Sequence, residues 1–219
     1  MKISKILFFM LLIVMVSNVM ALEMTAKGIK GGVNFATLTG PDREFFELTP
    51  LKVTTFAVGG FMVFTKDDKI NIQPEVYYCR KGVKYEGRDG ELTIKANYLE
   101  IPVLGTYKLA ENIRAFAGPS LGIYVGGTYD FSRDEDEEED RDDSGSGSGA
   151  LNDWFTMSGI DFGLVLGGSY SSGKIVFDAR YAFSLSSVVT AADIEMFDLE
   201  DSGLIVKNNL IQLLLGYKF

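Results

Sequence analysis

The chain has 219 residues, and its 30 Asp and Glu against 21 Lys and Arg give a formal net charge of −9 at pH 7. It has no histidine, which removes the commonest general base and the triad partner of a serine nucleophile, and its single cysteine excludes an internal disulfide. The length fits one domain, and 24 glycines with 12% aromatic residues favour strands and tight turns over helices.

The first segment has the pattern of a secretory signal peptide. Lys2 and Lys5 precede an apolar run from Ile6 to Val16, and Val19-Met20-Ala21 supplies small or branched residues at the positions that a signal peptidase reads. This pattern predicts cleavage after Ala21, so residues 1–21 are the expected signal peptide and residues 22–219 one β-barrel domain. After Ala21 no run approaches 18 apolar residues, so a membrane span would have to be a closed barrel.

Alternation of apolar and polar residues, bounded by turn residues, predicts eight strands. Each reaches the roughly 9 to 11 residues that a tilted strand needs to cross a bilayer. They are Ala26–Thr37, Val53–Thr65, Ile70–Tyr85, Leu92–Tyr107, Ile113–Tyr129, Phe155–Tyr170, Lys174–Ser186 and Leu204–Phe219.

Short connections alternate with longer ones along the chain. The short ones are T-K-D-D-K, K-L-A-E-N and S-S-G-K, and most of the others are long, such as Leu38–Lys52 and Ser187–Gly203. This alternation predicts an all-β fold, an eight-stranded antiparallel up-and-down transmembrane β-barrel, with termini and short turns in the periplasm and long loops outside the cell.

Several predicted strands have one continuous apolar face and one face that carries charges. A small membrane barrel turns the apolar face to lipid and packs polar groups within. We expect these charges to neutralise one another in a lumen too narrow for a diffusion pore. Cys79 falls on the inward face, and the second predicted strand is apolar on both faces, so its register stays open. The predicted interior charges are Glu75, Lys81, Glu100, Arg114, Asp161, Asp178 and Arg180.

The last nine residues, I-Q-L-L-L-G-Y-K-F, place an apolar row on one side of a strand. Tyr217 and Phe219 end this row, where an aromatic girdle would meet the boundary between lipid and water. The segment is the predicted membrane-insertion strand. Trp154 is a further candidate for an interfacial aromatic.

Five segments in chain order carry a family resemblance: G-I-K-G-G-V-N-F-A-T-L, I-Q-P-E-V-Y-Y-C-R-K-G-V-K-Y, N-Y-L-E-I-P-V-L, A-G-P-S-L-G and the closing L-G-Y-K-F. They resemble the PorT-like family of small outer-membrane β-barrel proteins. The resemblance implies an eight-stranded barrel in the outer membrane of a Gram-negative bacterium, without assigned chemistry and with roles from protein secretion to envelope structure. The long acidic insert after the fifth predicted strand departs from the family pattern.

That insert begins with ten carboxylates in the fourteen residues from Asp130 to Asp143. Such a density of like charge predicts a disordered, solvated outer loop over about 130–154. Asp140, Asp142, Ser144 and Gly145 have the opening spacing of a calcium loop, but Leu151 takes the position that requires a bidentate Glu, so no metal centre is predicted. Weak, delocalised cation binding is the remaining hypothesis for Asp134, Glu135, Asp136, Glu137, Glu138, Glu139 and Asp140.

These patterns predict an integral, porin-like outer-membrane protein with a structural, envelope or loop-mediated interaction role. No catalytic activity, wide pore, cofactor or nucleic-acid partner is expected. The expected partners are outer-membrane lipid, the outer-membrane assembly machinery and an envelope protein. Two long connections contain Phe45, Phe46, Met196 and Phe197, and these side chains could either bind the envelope protein or fold over the mouth of the barrel. The alternative is a soluble periplasmic barrel that carries a small hydrophobic ligand and therefore places apolar residues inside.

Overall fold

The computed structural model describes residues 22–41, 49–87, 90–132, 147–153, 155–192 and 205–219. Within these ranges the chain forms twelve strands and one turn of 3-10 helix, and none of the helical structure is long and apolar enough to cross a membrane. The elements are β1 (Glu23–Thr39), β2 (Pro50–Leu51), β3 (Val53–Thr65), β4 (Ile70–Gly87), β5 (Gly90–Lys108), β6 (Ile113–Ser132), β7 (Gly147–Ala150), η1 (Leu151–Asp153), β8 (Phe155–Met157), β9 (Ile160–Ser172), β10 (Ile175–Ser184), β11 (Val189–Ala192) and β12 (Lys207–Lys218).

Eight of these strands close into an antiparallel ring. Following the backbone pairing from β1 leads through β3, β4, β5, β6, β9, β10 and β12 and back to β1. A closed ring satisfies the backbone groups of every strand and leaves no edge, which hydrocarbon requires of a spanning sheet. The predicted eight-stranded antiparallel barrel is confirmed.

The alternation of side chains separates an apolar outer face from a mixed inner face. On β10, Phe177 and Tyr181 point outward and are 51% and 37% exposed, whereas Asp178 and Arg180 between them are buried. On β3 the structure settles the register that the sequence left open. Thr55, Ala57 and Phe61 face the interior, and Phe56, Val58 and Met62 face outward.

The sixth predicted strand is divided. β8 leaves the barrel and pairs with β11 in a separate two-stranded sheet, and the barrel strand β9 begins only at Ile160. The Ser158-Gly159 pair forms the break, because the Ser158 amide donates to the Val188 carbonyl and the Gly159 carbonyl accepts from the Tyr124 amide. The prediction of one strand over Phe155–Tyr170 was therefore wrong at its N-terminal end.

The two ends of the predicted outer loop over 130–154 are ordered in the same region. β6 continues through Asp130 to Ser132, and β7 pairs with it, so that Phe131 lies opposite Gly147. Leu151 follows in η1 and is buried. The acidic run itself, residues 133–146, lies outside the described residues, as does the predicted signal peptide.

Three short turns share one end of the barrel. Three of the four connections at the other end are long, and the fourth, between β4 and β5, spans only residues 88–89. The turns at residues 66–69, 109–112 and 173–174 share an end with the start of β1 and the end of β12. The first turn is organised by Asp67, whose carboxylate accepts from the amides of Lys69 and Ile70, each at 2.8 Å. Those two bonds lower the pKa of Asp67.

Candidate functional site: the polar interior of the barrel

Four buried charges at the middle of the barrel form a closed set of ion pairs, which we call the central quartet: Lys30, Glu75, Asp178 and Arg180. Lys30 Nζ lies 3.0 Å from Glu75 Oε1 and 2.7 Å from Asp178 Oδ2. Arg180 Nη1 lies 2.7 Å from Glu75 Oε2, and Nη2 contacts Asp178. Two cations meet two carboxylates, so the quartet carries no net charge and each charge has partners that offset its desolvation.

Aromatic rings enclose the two cations of the central quartet. The guanidinium of Arg180 lies 5.5 Å from the ring centre of Tyr77 and 5.2 Å from that of Phe116, and Lys30 Nζ lies 4.4 Å from that of Phe61. These distances are those of cation–π contacts. The rings also fill the lumen beside the charges, so the packing holds the ion pairs in one arrangement.

Inward glycines make room for these rings. A Cβ added at Gly167 would lie 2.8 Å from Phe116 Cζ, and one at Gly59 would lie 2.7 Å from Tyr77 Cδ1. An eight-stranded barrel is just wide enough for its own side chains, so a large residue on one strand needs a small residue facing it. This packing explains Gly59 of β3 and Gly167 of β9.

A second buried cluster, the outer trio, lies nearer the end with long connections and consists of Lys81, Glu100 and Asp161. Lys81 Nζ lies 2.9 Å from Glu100 Oε1 and 3.0 Å from Asp161 Oδ2. The same Asp161 oxygen accepts from Ser184 Oγ at 2.8 Å and from Asn208 Nδ2 at 3.0 Å. A cavity of about 10 Å³ beside the trio has the size of one water molecule.

Neutral polar residues lie between the two charged clusters. Gln212 Nε2 donates to Asn34 Oδ1 at 2.9 Å, and Asn34 Nδ2 donates to the Arg80 carbonyl at 3.0 Å. Cys79 is fully buried next to both amides, on the inward face where the alternation of its strand placed it. Buried polar residues therefore occupy the interior between the central quartet and the outer trio.

Above the outer trio, apolar side chains close the lumen. Ala96 and Tyr98 of β5 pack with Leu151 of η1, and Val188, Val189 and Val206 complete the cluster. A cavity of about 40 Å³ remains among these side chains. These side chains fill the lumen at this level of the described barrel.

Six of the seven predicted interior charges lie in the two clusters, and Arg114 does not. Arg114 lies at the end of the barrel with the short turns, where its Nη1 donates to the Lys69 carbonyl at 3.5 Å. When the side-chain amide of Asn71 is oriented so that its nitrogen donates to the Ile70 carbonyl, Arg114 Nη1 also donates to Asn71 Oδ1 at 3.2 Å. Among the described residues Arg114 forms no ion pair with an interior carboxylate. It is the second residue of β6, next to the turn at residues 109–112.

Lys30 was missed by the sequence analysis. It shares a face of β1 with Asn34, opposite Ile29 and Val33, and that alternation was the signal that could have identified it. The glycines at 28, 31 and 32 weaken the pattern on both faces, so the inward side of β1 was not assigned.

The remaining predicted residues fall into two groups. Tyr217 and Phe219 face outward at the short-turn end, with ring centres 5.8 Å apart, on the strand that closes the ring with β1. The predicted cation ligands 134–140 and the residues Phe45, Phe46, Trp154, Met196 and Phe197 lie outside the described residues. Within the described ranges no group of three or more Cys, Asp or Glu side chains is placed to hold a metal ion.

A search of curated protein sequences finds no match. Among solved structures, the chain is similar to the attachment invasion locus protein Ail of Yersinia pestis, with 14% identity over 89% of this chain and 98% of that chain and a TM-score of 0.45. Neisserial surface protein A has 10% identity over 88% and 97% of the two chains, with a TM-score of 0.45. OprG of Pseudomonas aeruginosa has 12% identity over 89% and 95%, with a TM-score of 0.38.

A family model described as an outer membrane protein beta-barrel domain matches residues 23–190. This range starts with β1 and covers seven of the eight strands of the ring. The match spans well over half of the chain, and the ring of strands with its apolar outer face is the structure that the description of the family names. The chain therefore belongs to the outer membrane protein β-barrel domain family.

Proposed function

We propose that this protein is a sealed, non-catalytic anchor of the Gram-negative outer membrane that acts through the connections at its outer end. The observation that carries the proposal is the interior, where ion pairs and an apolar cluster occupy successive levels of the lumen. A barrel filled in this way is rigid, so its function would depend on binding at its ends and not on passage of a solute through its lumen. The resemblance to the PorT-like family supports an envelope or secretion-linked role of the same kind.

The proposed orientation places short turns and both termini in the periplasm and the long connections outside the cell. Bacterial barrels have short periplasmic turns and longer outer loops, and the three turns of two to four residues share one end here. Outer-membrane lipid is then the partner of the apolar face. The assembly machinery would meet β12, and an envelope protein would meet the outer connections.

Conductance in planar lipid bilayers tests whether the barrel is sealed. We expect the purified protein to give no stable channels, because the central quartet and the outer apolar cluster occupy the lumen. The matched control opens only the apolar cluster, by Leu151→Ser and Val188→Ser, and should also give no channels, because the central quartet still fills the lumen. Stable channels in the unmodified protein would contradict the proposal.

The alternative of a soluble periplasmic carrier requires a polar outer surface. Large apolar side chains on every strand of the ring are instead exposed on the outside, among them Val58, Leu166, Phe177 and Leu215. Sucrose-gradient fractionation and heat-modifiable gel mobility separate the two functions. We expect the protein in the outer-membrane fraction, and a monodisperse protein that refolds in plain buffer would favour the carrier.

A further inference from the structure

Three cations face the interior at the short-turn mouth, and we call them the mouth cations: Lys108, Arg114 and Lys218. Lys108 lies directly opposite Arg114 in the pairing of β5 with β6. Lys218 lies opposite Gly28, and an added Cβ at Gly28 would lie 2.7 Å from the ring of Phe61, which faces the lumen. Paired residues of antiparallel strands share a face, so all three side chains point into one vestibule.

The mouth cations differ from the buried cations in their partners. Lys30, Lys81 and Arg180 each contact two carboxylates, whereas within the described ranges none of the mouth cations forms an ion pair. Lys218 lies within electrostatic range of both Arg114 and Lys30, so like charges meet across the vestibule. Like charges held together by a rigid wall repel one another unless an anion lies between them.

An independent observation points into the same vestibule. Thr106 is 4% exposed, and its Oγ1 has no hydrogen-bond partner among the described residues. It lies two residues before Lys108 on the same inward face of β5, and it pairs with Asn71 of β4 and with Phe116 of β6. A buried hydroxyl without a partner costs free energy that a bound acceptor would recover.

We propose that the short-turn mouth of the barrel is a binding site for a phosphate group. The guanidinium of Arg114 supplies a fork of donors, the two ammonium groups supply charge from the facing walls, and the Thr106 hydroxyl supplies a neutral donor at the base of the site. A tetrahedral phosphate presents oxygens in several directions at once, which suits donors arranged around a ring. The phosphate belongs either to a dissolved anion or to the headgroup of a lipid in the adjacent leaflet.

Titration calorimetry of the folded protein in zwitterionic micelles at low ionic strength tests the site, with sodium pyrophosphate as the probe. We expect saturable binding to the wild type and at least tenfold weaker binding to Lys108→Gln/Arg114→Gln/Lys218→Gln. The control Lys66→Gln/Lys174→Gln removes two exposed lysines from the same end and should bind within twofold of the wild type. Heat-modifiable mobility verifies that each variant is folded, and Arg114→Gln alone replaces the triple variant if that variant does not fold.

Thr106→Val distinguishes a specific binding site from nonspecific attraction of the anion to positive charge. It keeps the shape and the charge of the vestibule and removes the hydroxyl, so we expect several-fold weaker binding. Displacement of pyrophosphate by glycerophosphoglycerol, but not by glycerophosphocholine, would identify an anionic lipid headgroup as the source, and failure of both headgroups to displace it would identify a dissolved anion. The proposal is overturned if the wild type shows no saturable binding, or if the triple variant binds as tightly as the lysine control.

Discussion

Lys30 decides whether the interior of the barrel is electrically balanced. Without it, Glu75 and Asp178 would share one guanidinium in a lumen from which water is largely excluded. A buried ion pair is a weak source of net stability, but removal of one partner leaves an uncompensated charge and is strongly destabilising. The central quartet therefore acts at the scale of single residues, where one substitution changes the charge state of the whole set.

We expect Lys30→Met to lower the free energy of unfolding by about 3 to 5 kcal/mol, because it leaves a buried carboxylate without its cation. Urea unfolding in lipid vesicles, followed by the shift in gel mobility, measures the change. Lys66→Met is the matched control, since Lys66 lies in an exposed turn and the expected change is within about 0.5 kcal/mol. Equal urea midpoints for the two variants would show that the quartet does not stabilise the barrel.

At the scale of the element, β12 closes the barrel by pairing with both β1 and β10. Its outward residues Ile211, Leu213, Leu215 and Tyr217 form an exposed apolar row, while Leu210, Gln212 and Leu214 are buried. This strict alternation over twelve residues orients the strand, because a slip of one position would turn the apolar row inward and Gln212 toward lipid. The row also ends in the aromatic pair at the proposed lipid boundary.

Leu213→Arg tests the outward row. In a lipid-facing strand, an arginine near the middle of the bilayer costs about 2 to 4 kcal/mol. The same substitution at Leu109, which is 63% exposed in a short turn, serves as the control and should change stability by less than about 0.5 kcal/mol. If both variants unfold at the same urea concentration in vesicles, the outer face of β12 does not contact lipid.

At the scale of the whole molecule, the charged side chains of the interior form separate clusters at successive heights along the barrel axis. The mouth cations lie at the short-turn end, the neutral central quartet follows, and the outer trio has one cation and two carboxylates. The acidic run of residues 134–143 belongs to the connection at the far end. In the proposed orientation the mouth cations would face the periplasm, and the connection that carries the acidic run would face the outside of the cell.

Replacement of residues 132–146 by Asn-Gly tests whether the acidic run belongs to the barrel or to its outer function. Phe131 pairs with Gly147, so a two-residue turn can join β6 to β7 without disturbing the ring. We expect the variant to keep its heat-modifiable mobility and urea midpoint. Titration calorimetry of the full chain with calcium should show a small heat of binding, and the variant should not show it.

Identical calcium traces for the two proteins would end the hypothesis of cation binding by the acidic run. A variant that no longer folds would show that the run supports the barrel. The control keeps the length of the connection and replaces the acidic residues 134–140 with Ser and Gly, so that charge and length are separated.

The sequence by itself determined the class of the fold, the number of barrel strands, the three short turns at one end and the inward position of most of the charges. These properties follow from local rules, since a strand alternates its faces every residue and a turn is made by a few neighbouring residues. Only the tertiary structure decided the register of β3, the departure of β8 from the barrel, the place of Lys30 in the quartet and the position of Arg114 at the mouth. Each of these depends on side chains from strands distant in sequence, because ring closure sets which residues meet at one level of the lumen.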